Sequence, residues 1–478
     1  RVSSEIGLQA IYDSYLKAGM ALYEQNRSRN LAEQMFEVAE QSRTTVFEQS
    51  LLHSAELPAE YWETLGRYRK LLARSLSSDD DQLASETASL RVRLAEIEAS
   101  FGFESNTAEN SHQINERTPA EPALRRLQGN LKEQEAFLSF HTGAEATYLW
   151  AVTRETFEVH KLPARKLLAG AVSEFRDAVR FRNRRARALG DRVRNLLLSG
   201  LSAPVQSRRH WILSLDGPLF ELPFAAIPVQ AGWLGQQHTL RLVPGSLTTH
   251  GPEVPASTQF AGWGDPLYNR ADLRWKQPPA AVDVELERLP GSGRELRECS
   301  RAWTQDATPL IRTGAEVRRE DLLNSLKANP AVVHLAMHVV PHPRRADQLL
   351  IALGALPTGE AQFLSAAEVA AQRARVGLVT LSGCGSGNGQ SVAGVGLFGL
   401  IRAWLTGGAR AVVATHWPIT DDSGFLLASM YRELATAERL TSASVAEALQ
   451  TAQGSMIAAG GWKADPGYWS AFAVTGKE

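Results

Sequence analysis

The stretch VGLVTLSGCGSGNG, residues 376–389, decides how the rest of the chain is read. Val376–Leu381 is an apolar, β-branched run, as expected of a strand buried on both faces of a parallel sheet. Gly383, Gly385, Gly387 and Gly389 then let the backbone turn tightly, with no Cβ atoms to crowd a ligand. Cys384 is thereby placed just past the carboxyl end of a strand, where open α/β sheets form their sites. Working outward, AVVHLAMHVV (331–340) reads as a second strand that ends in His338, 46 positions before the cysteine. A histidine on one strand end and a cysteine on another form the constellation expected of a thiol nucleophile and its base.

The 478 residues exceed what one ordinary core organises, so two or three domains are expected. With 51 basic and 52 acidic residues the formal net charge is −1, so no broad field draws nucleic acid. The run Arg180–Arg187 (RFRNRRAR) has helical spacing and reads as a solvated face, so direct nucleic-acid binding is not expected. No apolar run reaches the ~18 residues of a membrane span. The opening residues Arg1–Glu5 carry neither an initiator Met nor a signal-peptide core, which reads as a trimmed fragment of something longer. Two cysteines, Cys299 and Cys384, make no disulfide framework and suit a reducing cytoplasm.

In chain order, residues 1–121 read as a helical, repeat-like segment. Ala10–Tyr23 and Leu31–Leu51 carry apolar residues at three- and four-residue spacing and form an antiparallel pair, in the manner of the last unit of a helical array. One pair cannot bury its own face, so repeats upstream are plausible. A second helical pair, or arm, covers Tyr61–Leu76 and Asp79–Phe101, and polar residues 102–121 read as a mobile linker. Residues 122–251 form a first α/β half. It holds a short helix, Pro122–Gln134, a hairpin in Thr147–Leu162, one basic helix over about 164–198 and a strand at His210–Leu215. PEVPAST (252–258) is a joint, and 252–478 form a second α/β half with strands near 331–339, 348–353, 376–382, 410–416 and 470–475. Alternation with helices at about 293–304, 318–327, 394–406, 421–436 and 441–459 predicts an α/β fold with a mostly parallel, three-layer sheet.

Seven segments in this order resemble the CHAT peptidases, a bacterial group related to caspases and separase and often fused to tetratricopeptide-type repeats. They are LDGPLFELPFAAIP (215–228), GDPLYN (264–269), VVHLAMH (332–338), LLIALGA (349–355), LVTLSGCGSG (378–387), GLFGLIRAWLTGGARAVVATHWPITDD (396–422) and YWSAFAVTG (468–476). The resemblance covers roughly 130–478. It implies a caspase-like fold in two parts, a structural half (122–251) and a catalytic half (252–478). It also implies a cysteine endopeptidase that needs no cofactor and cuts a specific protein in bacterial signalling, cell death or defence. A protein partner that activates the enzyme or presents its substrate would bind the N-terminal helices. Two departures stand out. Val339 follows the histidine where the family usually has glycine, and Cys384-Gly385-Ser386-Gly387 replaces a frequent Cys-Glu-Thr-Gly.

The resemblance assigns Cys384 as nucleophile and His338 as base, in agreement with the reading of the residues. A cysteine at its ordinary pKa of about 8.5 is mostly thiol at neutral pH, and an imidazole can take that proton and return it to the leaving amine. The backbone N–H groups of Cys384 and Val339 are the candidate oxyanion donors. The bland alternative for Cys384 is an inert buried thiol. Asp421, in the THWPITDD segment, matches a position that faces a basic substrate side chain in separase-like relatives. Helix capping by Thr420 and Asp421 accounts for the same residues equally well. His334, His338 and His342 stand four apart, the spacing of a helical metal site. Pro341 and Pro343 exclude that helix, so no metal is expected and His334 reads as a satisfied core histidine. The glycine run fails a dinucleotide fingerprint at Asn388 and lacks a phosphate-loop lysine. Two rival classes remain: a catalytically idle, protease-shaped scaffold, favoured by Val339, and a hydrolase of small amides or esters.

Overall fold

The computed structural model describes residues 2–52, twelve positions between 60 and 97, and 122–477 apart from 231, 246–256, 280, 285, 307, 343–344, 384–392 and 418–423. The described positions of the second helical pair are helical, and the stretch expected as a linker lies outside the described residues.

Strands β1 (Glu135–Thr142), β2 (Thr147–Val152) and β3 (Phe157–Leu162) form an antiparallel meander, as the hairpin signal predicts. β4 (His210–Ser214) then pairs parallel to β1. A small ladder joins β5 (Pro228–Val229) to β6 (Gly232–Trp233) before β7 (Thr239–Leu242), which lies parallel to β4. Further on, β8 (Phe260–Pro266) runs parallel to β9 (Leu310–Gly314) and to β10 (Val332–Ala336). A three-stranded antiparallel sheet follows, made of β11 (Val339–His342), β12 (Arg345–Ala355) and β13 (Ala361–Ser365). β14 (Leu378–Leu381) and β15 (Ala411–Thr415) extend the parallel set beyond β10, and β16 (Phe472–Gly476) closes the chain. The resulting eleven-stranded sheet has the order β3-β2-β1-β4-β7-β16-β15-β14-β10-β8-β9. β16 makes it continuous, pairing antiparallel to β15 and parallel to β7.

Three layers follow from strand alternation. On β14, Val379 and Leu381 face the cluster that holds Leu400 and Trp404 of the helix Ala393–Thr406. Leu378 faces the opposite cluster with Leu427 and Tyr431 of the helix Gly424–Leu434. Val412 and Val413 of β15 divide between the same two clusters. The sheet is therefore covered on both faces, which is why β10, β14 and β15 are near-continuous apolar runs.

Three expectations are corrected. The basic helix is two, Arg165–Arg180 and Ala186–Leu197, because the chain turns at Arg182, where φ is +55°. β12 belongs to the separate small sheet, and β16 enters the main sheet antiparallel to β15. The N-terminal pair is Val2–Asn26 and Arg29–Leu52. Leu16, Met20 and Phe36 pack with Phe137 and Trp150 of β1 and β2, so the meander supplies the cover that an isolated pair lacks. Arg43 reaches the middle of β1 and the carboxyl end of β4, donating to Ser139 Oγ (2.7 Å) and Ser214 Oγ (2.9 Å).

Candidate active site

The parallel register of β10 with β14 builds the site. Val332 pairs with Leu378 and Leu335 with Leu381, an offset of 46 positions. The ladder continues past the strand ends, where the Ser382 N–H donates to the Leu335 carbonyl (3.2 Å). One residue further, Gly383 lies against Met337 so closely that a Cβ would fall 1.7 Å from the Met337 carbonyl oxygen. The same offset of 46 separates His338 from Cys384 in the sequence. Cys384 itself lies outside the described residues, as does Asp421.

His338 follows directly on this contact and is buried. Its Nε2 is 2.7 Å from the carbonyl oxygen of Glu287. A carbonyl only accepts, so Nε2 carries the proton and Nδ1 is the accepting nitrogen of the neutral ring. The His338 N–H donates to Tyr268 Oη (3.1 Å), the His338 carbonyl accepts from Ala352 N–H (2.8 Å), and the Tyr268 hydroxyl donates to the Ala352 carbonyl (2.9 Å). The Tyr268 ring packs on the imidazole with centroids 4.9 Å apart. Burial holds His338 below the ordinary imidazole range, against the opposing pull of the Glu287 carbonyl, so the ring is neutral at neutral pH. Val339, where glycine is usual in the resemblance, points its buried side chain into the cluster of Met337 and Ile351.

His334 is the hydrogen-bonded core histidine the sequence predicts. Its Nε2 meets Glu295 Oε1 (2.9 Å) and Ser382 Oγ (3.3 Å), while Tyr431 Oη lies 3.3 Å from Nδ1 and 2.7 Å from Thr380 Oγ1. One polar network thus ties the helices Pro290–Ala302 and Gly424–Leu434 to β10 and β14. The other cysteine, Cys299, is fully buried, and that burial pushes its thiol well above the usual range, which favours the unreactive thiol form. His342 stands on β11, and among the described residues no three His, Cys, Asp or Glu side chains are grouped to hold a metal. Sequence reasoning missed Glu287 and Tyr268. A backbone carbonyl leaves no mark in the sequence, but GDPLYN (264–269), which contains Tyr268, carried a signal.

The CHAT-domain profile matches residues 185–477. The chain belongs to the CHAT-domain family. The matched region takes in β4–β16, and so His338 and the 376–389 stretch lie inside the CHAT domain, with the meander and the N-terminal helices ahead of it. Tetratricopeptide repeat protein 28 of Mus musculus is 26% identical over an alignment 356 residues long that covers 65% of this chain and 14% of that protein. Among solved structures, the separase–securin complex of Saccharomyces cerevisiae aligns with 97% of this chain and 37% of that chain, at TM-score 0.46 and 12% identity. The Arg-specific cysteine proteinase gingipain R aligns with 64% of this chain and 74% of that chain, at TM-score 0.36 and 11% identity. The chain thus spans well under half the length of the repeat protein and of separase. Among the described residues, no helix is long and apolar enough to cross a membrane.

Proposed function

We propose that this CHAT domain is a cysteine endopeptidase with Cys384 as nucleophile and His338 as base. One observation carries the reading. A buried, neutral His338, with Nδ1 as its accepting nitrogen, stands at the end of β10, and the β10–β14 register offset equals its spacing from Cys384. In the proposed reaction the Cys384 thiol gives its proton to His338 Nδ1, and Sγ attacks the scissile carbonyl carbon. The backbone N–H groups of Cys384 and Val339 hold the oxyanion. Collapse breaks the C–N bond, the leaving amine takes the proton from His338, and a thioester remains. Water, deprotonated by His338, then releases the acid and restores the thiol. Because burial holds His338 below the usual range, the acid limb of kcat/KM is expected below pH ~6.5. A limb above pH ~7 assigned to His338 would contradict this base.

The substrate in this reading is a specific cytoplasmic protein in a signalling, cell-death or defence setting. The N-terminal helices, ahead of the matched domain, are the surface for a protein partner that activates the enzyme or presents that substrate. Asp421 is assigned to a pocket for Arg or Lys before the cut bond, through a charge-assisted pair. The test is digestion of a peptide library. Wild type is expected to cut after basic residues, and Asp421→Asn to lose about 10- to 100-fold of that preference, the worth of one charge-assisted hydrogen bond. An unchanged preference would return Asp421 to helix capping. Reaction with electrophiles but no peptide cleavage would favour a small-amide or ester hydrolase.

A further inference from the structure

The motif GDPLYN (264–269) is not accounted for by the dyad, yet its side chains converge on the segment that holds His338. Asp265, next to last in β8, has φ +44°, a left-handed conformation that costs energy for a residue with a Cβ. The Asp265 N–H donates to Ser292 Oγ (2.7 Å). The Asp265 carboxylate accepts four N–H bonds. Arg288 supplies Nε to Oδ1 and Nη2 to Oδ2, both 3.0 Å, and Arg274 supplies Nη1 to Oδ2 (2.9 Å) and Nη2 to Oδ1 (3.0 Å). Arg274 is itself held by Asp272, at 2.6 Å from Nη2 to Oδ2. Three residues past Asp265, Tyr268 accepts the bond from the His338 N–H, and then Asn269 Nδ2 donates to the Leu286 carbonyl (2.9 Å).

The segment 286–289 is therefore tied at four consecutive residues. The Leu286 carbonyl goes to Asn269, the Glu287 carbonyl to His338 Nε2, the Arg288 side chain to Asp265, and the Leu289 carbonyl to the Ser292 hydroxyl (2.7 Å). Only the Glu287 bond reaches the imidazole. The flanking bonds fix where that carbonyl points, and a carbonyl fixed at 2.7 Å from Nε2 dictates which ring nitrogen keeps the proton. Two-pronged guanidinium–carboxylate pairs on a nearly buried carboxylate are directional as well as strong, which suits a device that sets an angle.

We infer that Asp265 and Arg288 are positioning residues, a clamp that holds the Glu287 carbonyl on His338 Nε2 and so keeps Nδ1 as the proton-accepting nitrogen. The inference rests on His338 being the catalytic base, but its primary readout does not need catalysis. Imidazole-15N histidine is incorporated into the full chain, and the His338 signal is assigned by its absence from His338→Gln. Wild type is expected to carry the proton on Nε2. Arg288→Ala, Arg288→Lys and the near-isosteric Asp265→Asn are each expected to give a mixture in which Nδ1 is also protonated. Capture of a peptide acyloxymethyl ketone by Cys384 is expected to slow about 10- to 100-fold, the scale of a misplaced catalytic group. Lysine should not rescue, because an ammonium cannot make the two-pronged pair. If Arg288→Ala does not fold, Asp265→Asn carries the test. Folded variants that keep the proton on Nε2 would overturn the clamp. A shifted tautomer in a chain whose wild type never captures the electrophile would uphold the clamp and sink the protease reading instead.

Discussion

Gly383→Ala is expected to dismantle the site while leaving the chemistry of every side chain in it unchanged. A Cβ at this position would lie 1.7 Å from the Met337 carbonyl oxygen and 2.4 Å from its carbonyl carbon. Those are backbone atoms with β10 on one side and His338 on the other, so no rotamer change relieves the clash. The β10 and β14 chain ends must part, and the placement proposed for His338 beside Cys384 is lost with them. Overpacking of this kind costs about 3 kcal/mol. A displacement near 1 Å at a catalytic group costs about 100-fold in rate. Urea unfolding and the rate of electrophile capture, measured on the same preparation, check both figures. Wild-type values in both would mean that the two chain ends do not meet in this way.

Glu295→Ala is the second large effect. Glu295 and His334 are buried, and the 2.9 Å bond between them ties the helix Pro290–Ala302 to β10. Truncation removes the acceptor of His334 Nε2 and leaves a buried donor with Ser382 Oγ at 3.3 Å as its remaining partner. Losing one member of a buried, hydrogen-bonded pair costs on the order of 3 kcal/mol. Glu295→Gln keeps a carbonyl oxygen in place and is expected to cost about 1 kcal/mol. The contrast separates an unsatisfied donor from a simple cavity. Equal losses in the two variants would show that the carboxylate charge, rather than the hydrogen bond, is what His334 needs. Because Ser382 leads directly to Gly383, Glu295→Ala should also slow electrophile capture.

The parts of the fold that could be read in the sequence are those set by local pattern. Val332–Ala336, Leu378–Leu381 and Ala411–Thr415 are apolar because both sheet faces are covered, and that composition is visible without coordinates. The place of β12 was not legible, since alternation says that a segment is a strand but not which sheet it joins. Nor was the break at Arg182, because its one turn residue, Asn183, whose Oδ1 accepts from the Arg185 N–H (2.9 Å), stands among arginines that suit a continuous helix. The docking of the N-terminal helices on the meander depends on pairs such as Phe36 with Trp150, far apart in the chain. At the site, His338 stands at a strand end as its sequence context suggests, and His334 is a core residue. The groups that orient His338 were hidden, because Tyr268 is 70 positions away and Glu287 contributes only its carbonyl.

The central claim, that His338 and Cys384 act together on a peptide carbonyl, is tested most directly by covalent capture. An arginine-containing peptide acyloxymethyl ketone is incubated with wild type, Cys384→Ala and His338→Ala, with and without the natural protein partner. The modified residue is then read by mass spectrometry. A working dyad predicts one adduct on Cys384 in wild type, none in Cys384→Ala, and capture slowed by about 100-fold or more in His338→Ala. Absence of any adduct on Cys384 in wild type, across peptide sequences and with the partner present, would contradict the dyad and leave a protease-shaped scaffold.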